Sequence, residues 1–74
     1  MPPLPVISGQ KALRAFEKCD WHFARRNSTH ISLRKTGNPA VLTVPDHKEL
    51  DAGTLRNLIR TAGLTVQEFI ELLK

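Results

Sequence analysis

Trp21-His22-Phe23-Ala24-Arg25-Arg26 and His30-Ile31-Ser32-Leu33-Arg34-Lys35, separated by Asn27-Ser28-Thr29, decide the fold. Apolar Trp21, Phe23, Ile31 and Leu33 alternate with polar or small residues, the period of two expected of a half-buried strand. Asn, Ser and Thr are turn formers, so the two runs predict a β-hairpin with a loop of about three residues. Working outward, Thr36-Gly37-Asn38-Pro39 is a second turn signal, and the apolar, β-branched run 40–44 is a third strand that Pro45 ends. Upstream, Ala12, Leu13, Phe16 and Cys19 fall at helical spacing, with Ser8 as N-cap and Asp20 as stop. Downstream, Asp51 caps a helix whose stripe is Leu55, Leu58, Ile59 and Ala62, and Gly63 supplies the left-handed residue at its end. Thr65 and Glu68 form a capping box for a last helix burying Val66, Phe69, Ile70 and Leu73. Residues 1–7, broken by Pro2, Pro3 and Pro5, form an extended arm.

The predicted order is therefore α-β-β-β-α-α. A three-stranded antiparallel sheet of this size has one apolar face to cover, so the helices lie on one side and leave the other open to solvent, as an α+β two-layer sandwich. The 74 residues leave room for one domain, 1–74, with 1–7 as its arm. One cysteine excludes a disulfide framework and any multi-cysteine zinc site. No apolar run approaches the roughly 20 residues of a membrane span, and the proline-broken start lacks a signal-peptide pattern, so the expected location is the cytoplasm. Eleven Lys and Arg against seven Asp and Glu favour a polyanionic partner, nucleic acid first.

Strand alternation says where that charge sits. With Trp21, Phe23, Ile31 and Leu33 inward, His22, Ala24, Arg26, His30, Ser32 and Arg34 face solvent. A three-residue loop sets Arg26 opposite His30, Ala24 opposite Ser32 and His22 opposite Arg34, with Arg25 and Lys35 at the hairpin's edges. An imidazole, with its ordinary pKa near 6.5, exchanges protons at cellular pH. A guanidinium binds phosphate and stabilises charge that builds on it. RNA brings its own nucleophile, the 2′-hydroxyl, so a histidine beside an arginine suffices for transesterification without a metal. The same residues without proton transfer make an RNA-binding surface, and a basic face also serves an acidic protein partner. All three functions stay open on the residues alone, as does His22 between a second proton-transfer group and a spectator.

Other chemistries have less to stand on. Asp46, His47, Glu49 and Asp51 invite a metal, but acids leading into a helix also suit its dipole. No glycine-rich phosphate loop or nucleophile elbow is present. Cys19 sits on an apolar stripe, as a core residue does. Arg56 and Arg60 lie on the outer face of their helix, solvated or in contact with RNA. All four aromatic residues, Phe16, Trp21, Phe23 and Phe69, are assigned to the core, which leaves no platform for stacking bases.

Arg25-Arg26-Asn27-Ser28-Thr29-His30-Ile31-Ser32-Leu33-Arg34-Lys35 resembles the central motif of HicA-like (YcfA-like) mRNA interferase toxins. Leu42-Thr43-Val44-Pro45-Asp46-His47, Glu49-Leu50 and Gly53-Thr54-Leu55-Arg56 resemble the family's second block. Ala62-Gly63-Leu64-Thr65-Val66-Gln67-Glu68-Phe69 resembles its ending, and Leu4-Pro5-Val6-Ile7-Ser8-Gly9 its start. The resemblance implies a dsRBD-like fold and a toxin of a type II toxin–antitoxin pair that cleaves mRNA with neither cofactor nor metal. It implies His30 as the catalytic residue; on that reading Arg25, Arg26, Ser28, Thr29, Arg34 and Lys35 are expected to bind RNA. It also implies a HicB-like antitoxin covering that face. The family's Gly-Ser-His triplet falls on Ser28-Thr29-His30, so Ser28 stands in place of the glycine and Thr29 where Ser or Asp is usual.

Overall fold

A computed structural model describes residues 4–74. The elements are α1 (Gly9–Glu17), β1 (His22–Asn27), β2 (His30–Lys35), β3 (Asn38–Pro45), α2 (Ala52–Thr61) and α3 (Val66–Leu72). This is the α-β-β-β-α-α order expected. The sheet is antiparallel in the order β1-β2-β3, with β2 central.

The caps read from the sequence hold their helices. Ser8 Oγ accepts from Lys11 N at 3.1 Å, and Asp51 Oδ2 accepts from Thr54 N at 3.0 Å. Thr65 and Glu68 satisfy each other's backbone N–H at 3.1 and 2.8 Å. Each such cap is worth about 1 kcal/mol, because a buried or partly buried N–H without an acceptor is costly. Asp20 and Gly63 take positive φ, 68° and 79°, where α1 and α2 give way to the next segment.

The apolar faces meet in one core. Ile31 and Leu33 of β2, Leu42 and Val44 of β3, Ala12, Ala15 and Phe16 of α1, and Leu55, Leu58 and Ile59 of α2 are buried. Phe69 is the only residue of α3 fully buried, its ring centroid 5.1 Å from that of Phe16. Val66, Ile70 and Leu73, expected beside it, are half-buried: α3 is only two turns long and buries Phe69 alone. Cys19 and Leu13 pack partly buried against the core. Trp21 is fully buried just before β1, and its Nε1 has no acceptor.

Phe23 departs from expectation. It pairs with buried Leu33 and so points toward the helix layer, yet it is 58% exposed. Within the sheet, burial is confined to β2 and β3, while all six residues of β1 are exposed. The arm also differs from a free linker. Residues 1–3 lie outside the described residues, but Ile7 is buried and its carbonyl accepts from Leu50 N at 2.8 Å. Gly9 N donates to His47 O at 2.9 Å, so α1 begins against the end of β3. Among the described residues, no helix is long and apolar enough to cross a membrane.

Candidate functional site

The turn between β1 and β2 is shorter than its three turn formers suggested. Asn27 pairs with His30, so only Ser28 and Thr29 lie outside the ladder. Ser28 has φ 56°, the positive value that the first central residue of a type II′ hairpin turn takes. Further along, Phe23 opposes Leu33 while Arg25 opposes Ser32, which makes Ala24 the extra residue of a β-bulge. His22 opposes Arg34, as the alternation predicted.

The bulge reassigns the two adjacent arginines. Past an extra residue, every side chain exchanges faces. Arg25 therefore joins His30, Ser32 and Arg34 on the open face, while Arg26 pairs with Ile31 on the other. The expected apposition of Arg26 with His30, and of Ala24 with Ser32, is corrected accordingly. Arg26 has its own partner there: Nη2 donates to Asp46 Oδ2 at 2.8 Å, an ion pair. Asp46 Oδ1 accepts from Gln10 Nε2 at 3.1 Å. The hydrogen bond from Arg26 first, then that from Gln10, with the charges of Arg26 and His47, holds the Asp46 carboxyl below its ordinary range.

A shallow concavity of about 690 Å³ lies on the open face. β1 contributes Ala24, Arg25 and Asn27, β2 contributes His30, Ser32 and Arg34, and β3 contributes Val41 and Thr43. Of the residues that the sequence singled out, this brings together His30, Arg25 and Arg34. Ser28 and Thr29 form the adjoining turn, with Thr29 Oγ1 3.5 Å from His30 Nδ1. Lys35 falls on the Leu33 side by alternation, and neither it nor His22 lines the concavity. Asn27, Val41 and Thr43 were not singled out. Thr43 and Val41 were legible in principle, since they alternate with buried Leu42 and Val44. Asn27 was hidden by its placement in the turn.

Among the described residues, no acidic side chain lines the concavity, and no three His, Cys, Asp or Glu residues converge to hold a metal ion. The Asp46–Asp51 segment instead docks the arm and caps α2. What remains in the concavity is one exposed imidazole at the turn end, with two guanidiniums further along the strands and hydroxyls from Ser32 and Thr43. That set can hold a phosphodiester and exchange a proton beside it.

Residues 9–64 match the family model described as HicA toxin of bacterial toxin-antitoxin. The chain belongs to this family. Its matched region runs from the first residue of α1 past the end of α2 and takes in the whole sheet. Membership makes the chain a toxin of a toxin–antitoxin system, and an antitoxin partner goes with that. No curated protein matches the chain.

Proposed function

We propose that this HicA-family chain is a metal-independent endoribonuclease acting on mRNA in the cytoplasm, with His30 as its general acid–base group. The observation that carries the reading is the exposed His30 ring in a concavity whose cations are Arg25 and Arg34. RNA lies across the open face with a phosphate between the two guanidiniums. His30 takes the proton of the adjacent 2′-hydroxyl. The 2′-oxygen attacks phosphorus, the bond from phosphorus to the 5′-oxygen breaks, and the leaving oxygen takes a proton from solvent. The products are a 2′,3′-cyclic phosphate and a 5′-hydroxyl end. Arg25 and Arg34 neutralise the charge that builds on the phosphoryl oxygens. Ser28 and Thr29 border the site and contact RNA through the turn. Arg26, engaged by Asp46 on the other face, serves the structure rather than the phosphate, and Lys35 contacts RNA only where the strand runs beyond the concavity.

A HicB-like antitoxin fits the same face. A partner presenting carboxylates to Arg25 and Arg34 covers His30 and excludes RNA together, so binding and inhibition are one event.

The deciding experiment is cleavage of a single-stranded RNA in EDTA. The wild-type protein cleaves, leaving cyclic phosphate ends, and His30→Ala lowers the rate by about 10²–10⁴-fold, the usual worth of a positioned proton-transfer group. The variant still binds RNA, because both arginines remain. Wild-type protein that binds RNA in a salt-dependent way without cutting it is an RNA-binding module instead, and one with no RNA affinity has its basic face for a protein.

A further inference from the structure

His30 has little to hold it in place. The ring is exposed, and its nearest polar neighbour, Thr29 Oγ1, is at 3.5 Å, too long for a firm hydrogen bond. Its position therefore depends on the backbone that carries it. That backbone is the closed end of a hairpin whose outer strand is exposed throughout and whose turn contains a serine at positive φ. Neither feature favours a fixed end.

One residue outside the hairpin grips it at this level. Asp46 N donates to Thr29 O at 2.6 Å, which extends the β2–β3 ladder one step beyond the His30–Pro45 pair. Hydrogen-bonded and non-hydrogen-bonded pairs alternate in an antiparallel ladder, so His30–Pro45 is a non-bonded pair and proline's missing N–H costs nothing there. The bond at Asp46 then ties the turn side of His30 to β3, as the bonded Ile31–Val44 pair ties its other side. The carboxylate of the same residue holds Arg26, next to the cross-strand partner of His30, and Gln10 in the first turn of α1. Both strands of the hairpin are thus pinned, on either side of His30, to a single residue anchored on the helix layer.

We infer that Asp46 is a positioning residue for His30: its N–H on Thr29 and its carboxylate on Arg26 and Gln10 lock the hairpin end, and so set where the imidazole stands over the concavity. This rests on the reading of His30 as the proton-transfer group. It assigns Arg26 to the same device, acting through Asp46 rather than on RNA.

The test compares Asp46→Ala, Arg26→Ala and the double variant in RNA cleavage at a temperature where circular dichroism shows all three folded. The expected result is a fall in kcat of about tenfold for either single variant, the scale of effect of a displaced catalytic group. KM stays within about twofold, since Arg25 and Arg34 are untouched, and the double variant is no slower than the worse single one, because both break one device. Mere destabilisation leaves kcat at the wild-type value at that temperature, because circular dichroism there shows the variants folded. Folded Asp46→Ala protein with wild-type kcat, or losses that multiply in the double variant, overturns the inference. Should the wild-type protein cleave no RNA, the ribonuclease reading fails, and amide hydrogen exchange decides the positioning on its own. Exchange at His30 faster by about tenfold or more in Asp46→Ala, with Leu33 unchanged, sustains the part of the Asp46 carboxylate in holding the hairpin end. Equal exchange at His30 in both proteins removes it.

Discussion

Ser28 is a side chain in a conformation that favours none. At φ 56° its Cβ crowds the following carbonyl, a cost of roughly 1–2 kcal/mol for an L-residue. Asp20, at φ 68°, is better suited, since Asp bonds to its own backbone and tolerates the left-handed region. Glycine at 28 relieves the crowding and returns part of the gain as unfolded-state entropy, about 0.5–1 kcal/mol. Ser28→Gly is therefore expected to stabilise the fold by about 0.5–1 kcal/mol, which for a chain of this size raises Tm by roughly 2–8 °C. Thermal unfolding followed by circular dichroism checks it, and an unchanged or lower Tm shows that the turn is relaxed as it stands. The sequence showed the cause, a serine at the place where the family carries glycine, and the positive φ supplies the strain. What the sequence could not give was the turn's length. Asn27, Ser28 and Thr29 are all turn formers, and composition alone does not say that Asn27 stays in the ladder opposite His30.

At the scale of elements, caps and core stripes were open to reading because each is a local rule. A hydroxyl or carboxylate before a periodic run satisfies N–H groups within three residues, and Ser8, Asp51 and Thr65 do so. The bulge at Ala24 was not legible. It turns on one extra residue in a strand whose partner lies across a turn, and the alternation Trp21, Phe23 gives no sign that the period breaks before Arg25. That one residue decided which of two adjacent arginines faces His30. Phe23 was misjudged for a related reason: alternation gives the side of a sheet, not how far the helices extend over it. The contact between α1 and β3 is another non-local feature. Gly9 is buried where the helix begins, and a Cβ there would run into the Pro45 carbonyl oxygen, a backbone atom that cannot rotate away. Gly9→Ala must push α1 off the end of β3, against the bond from Gly9 N to His47 O. The expected cost is about 1–3 kcal/mol, as for overpacking elsewhere. Urea unfolding measures it through a lower midpoint at constant m. A wild-type midpoint means that the two elements have room to spare.

The whole molecule is a sorting of charge by layers. Helices and core lie on one side of the sheet, and the other side carries a concavity with Arg25, Arg34 and His30 and no carboxylate among the described residues that line it. A formal charge of +4 is modest, so the location of the cations matters more than their sum. Two arginines close to one phosphodiester release counterions as they bind, and for single strands each contact contributes about −0.7 to the slope of log affinity against log salt concentration. The face therefore predicts a pattern among variants rather than a single affinity. In a His30→Ala background, where the RNA survives the measurement, Arg25→Ala and Arg34→Ala should each flatten that slope by about 0.7. Arg26→Ala should leave it unchanged, because that guanidinium is spent on Asp46 behind the sheet. The three arginines are equivalent to composition, and two of them are neighbours in sequence, so only the faces created by the bulge separate them. Fluorescence anisotropy with a labelled RNA across a salt series reads the slopes directly. An Arg26 variant that flattens the slope as much as the Arg25 variant places the phosphate path around the edge of β1, not across the open face.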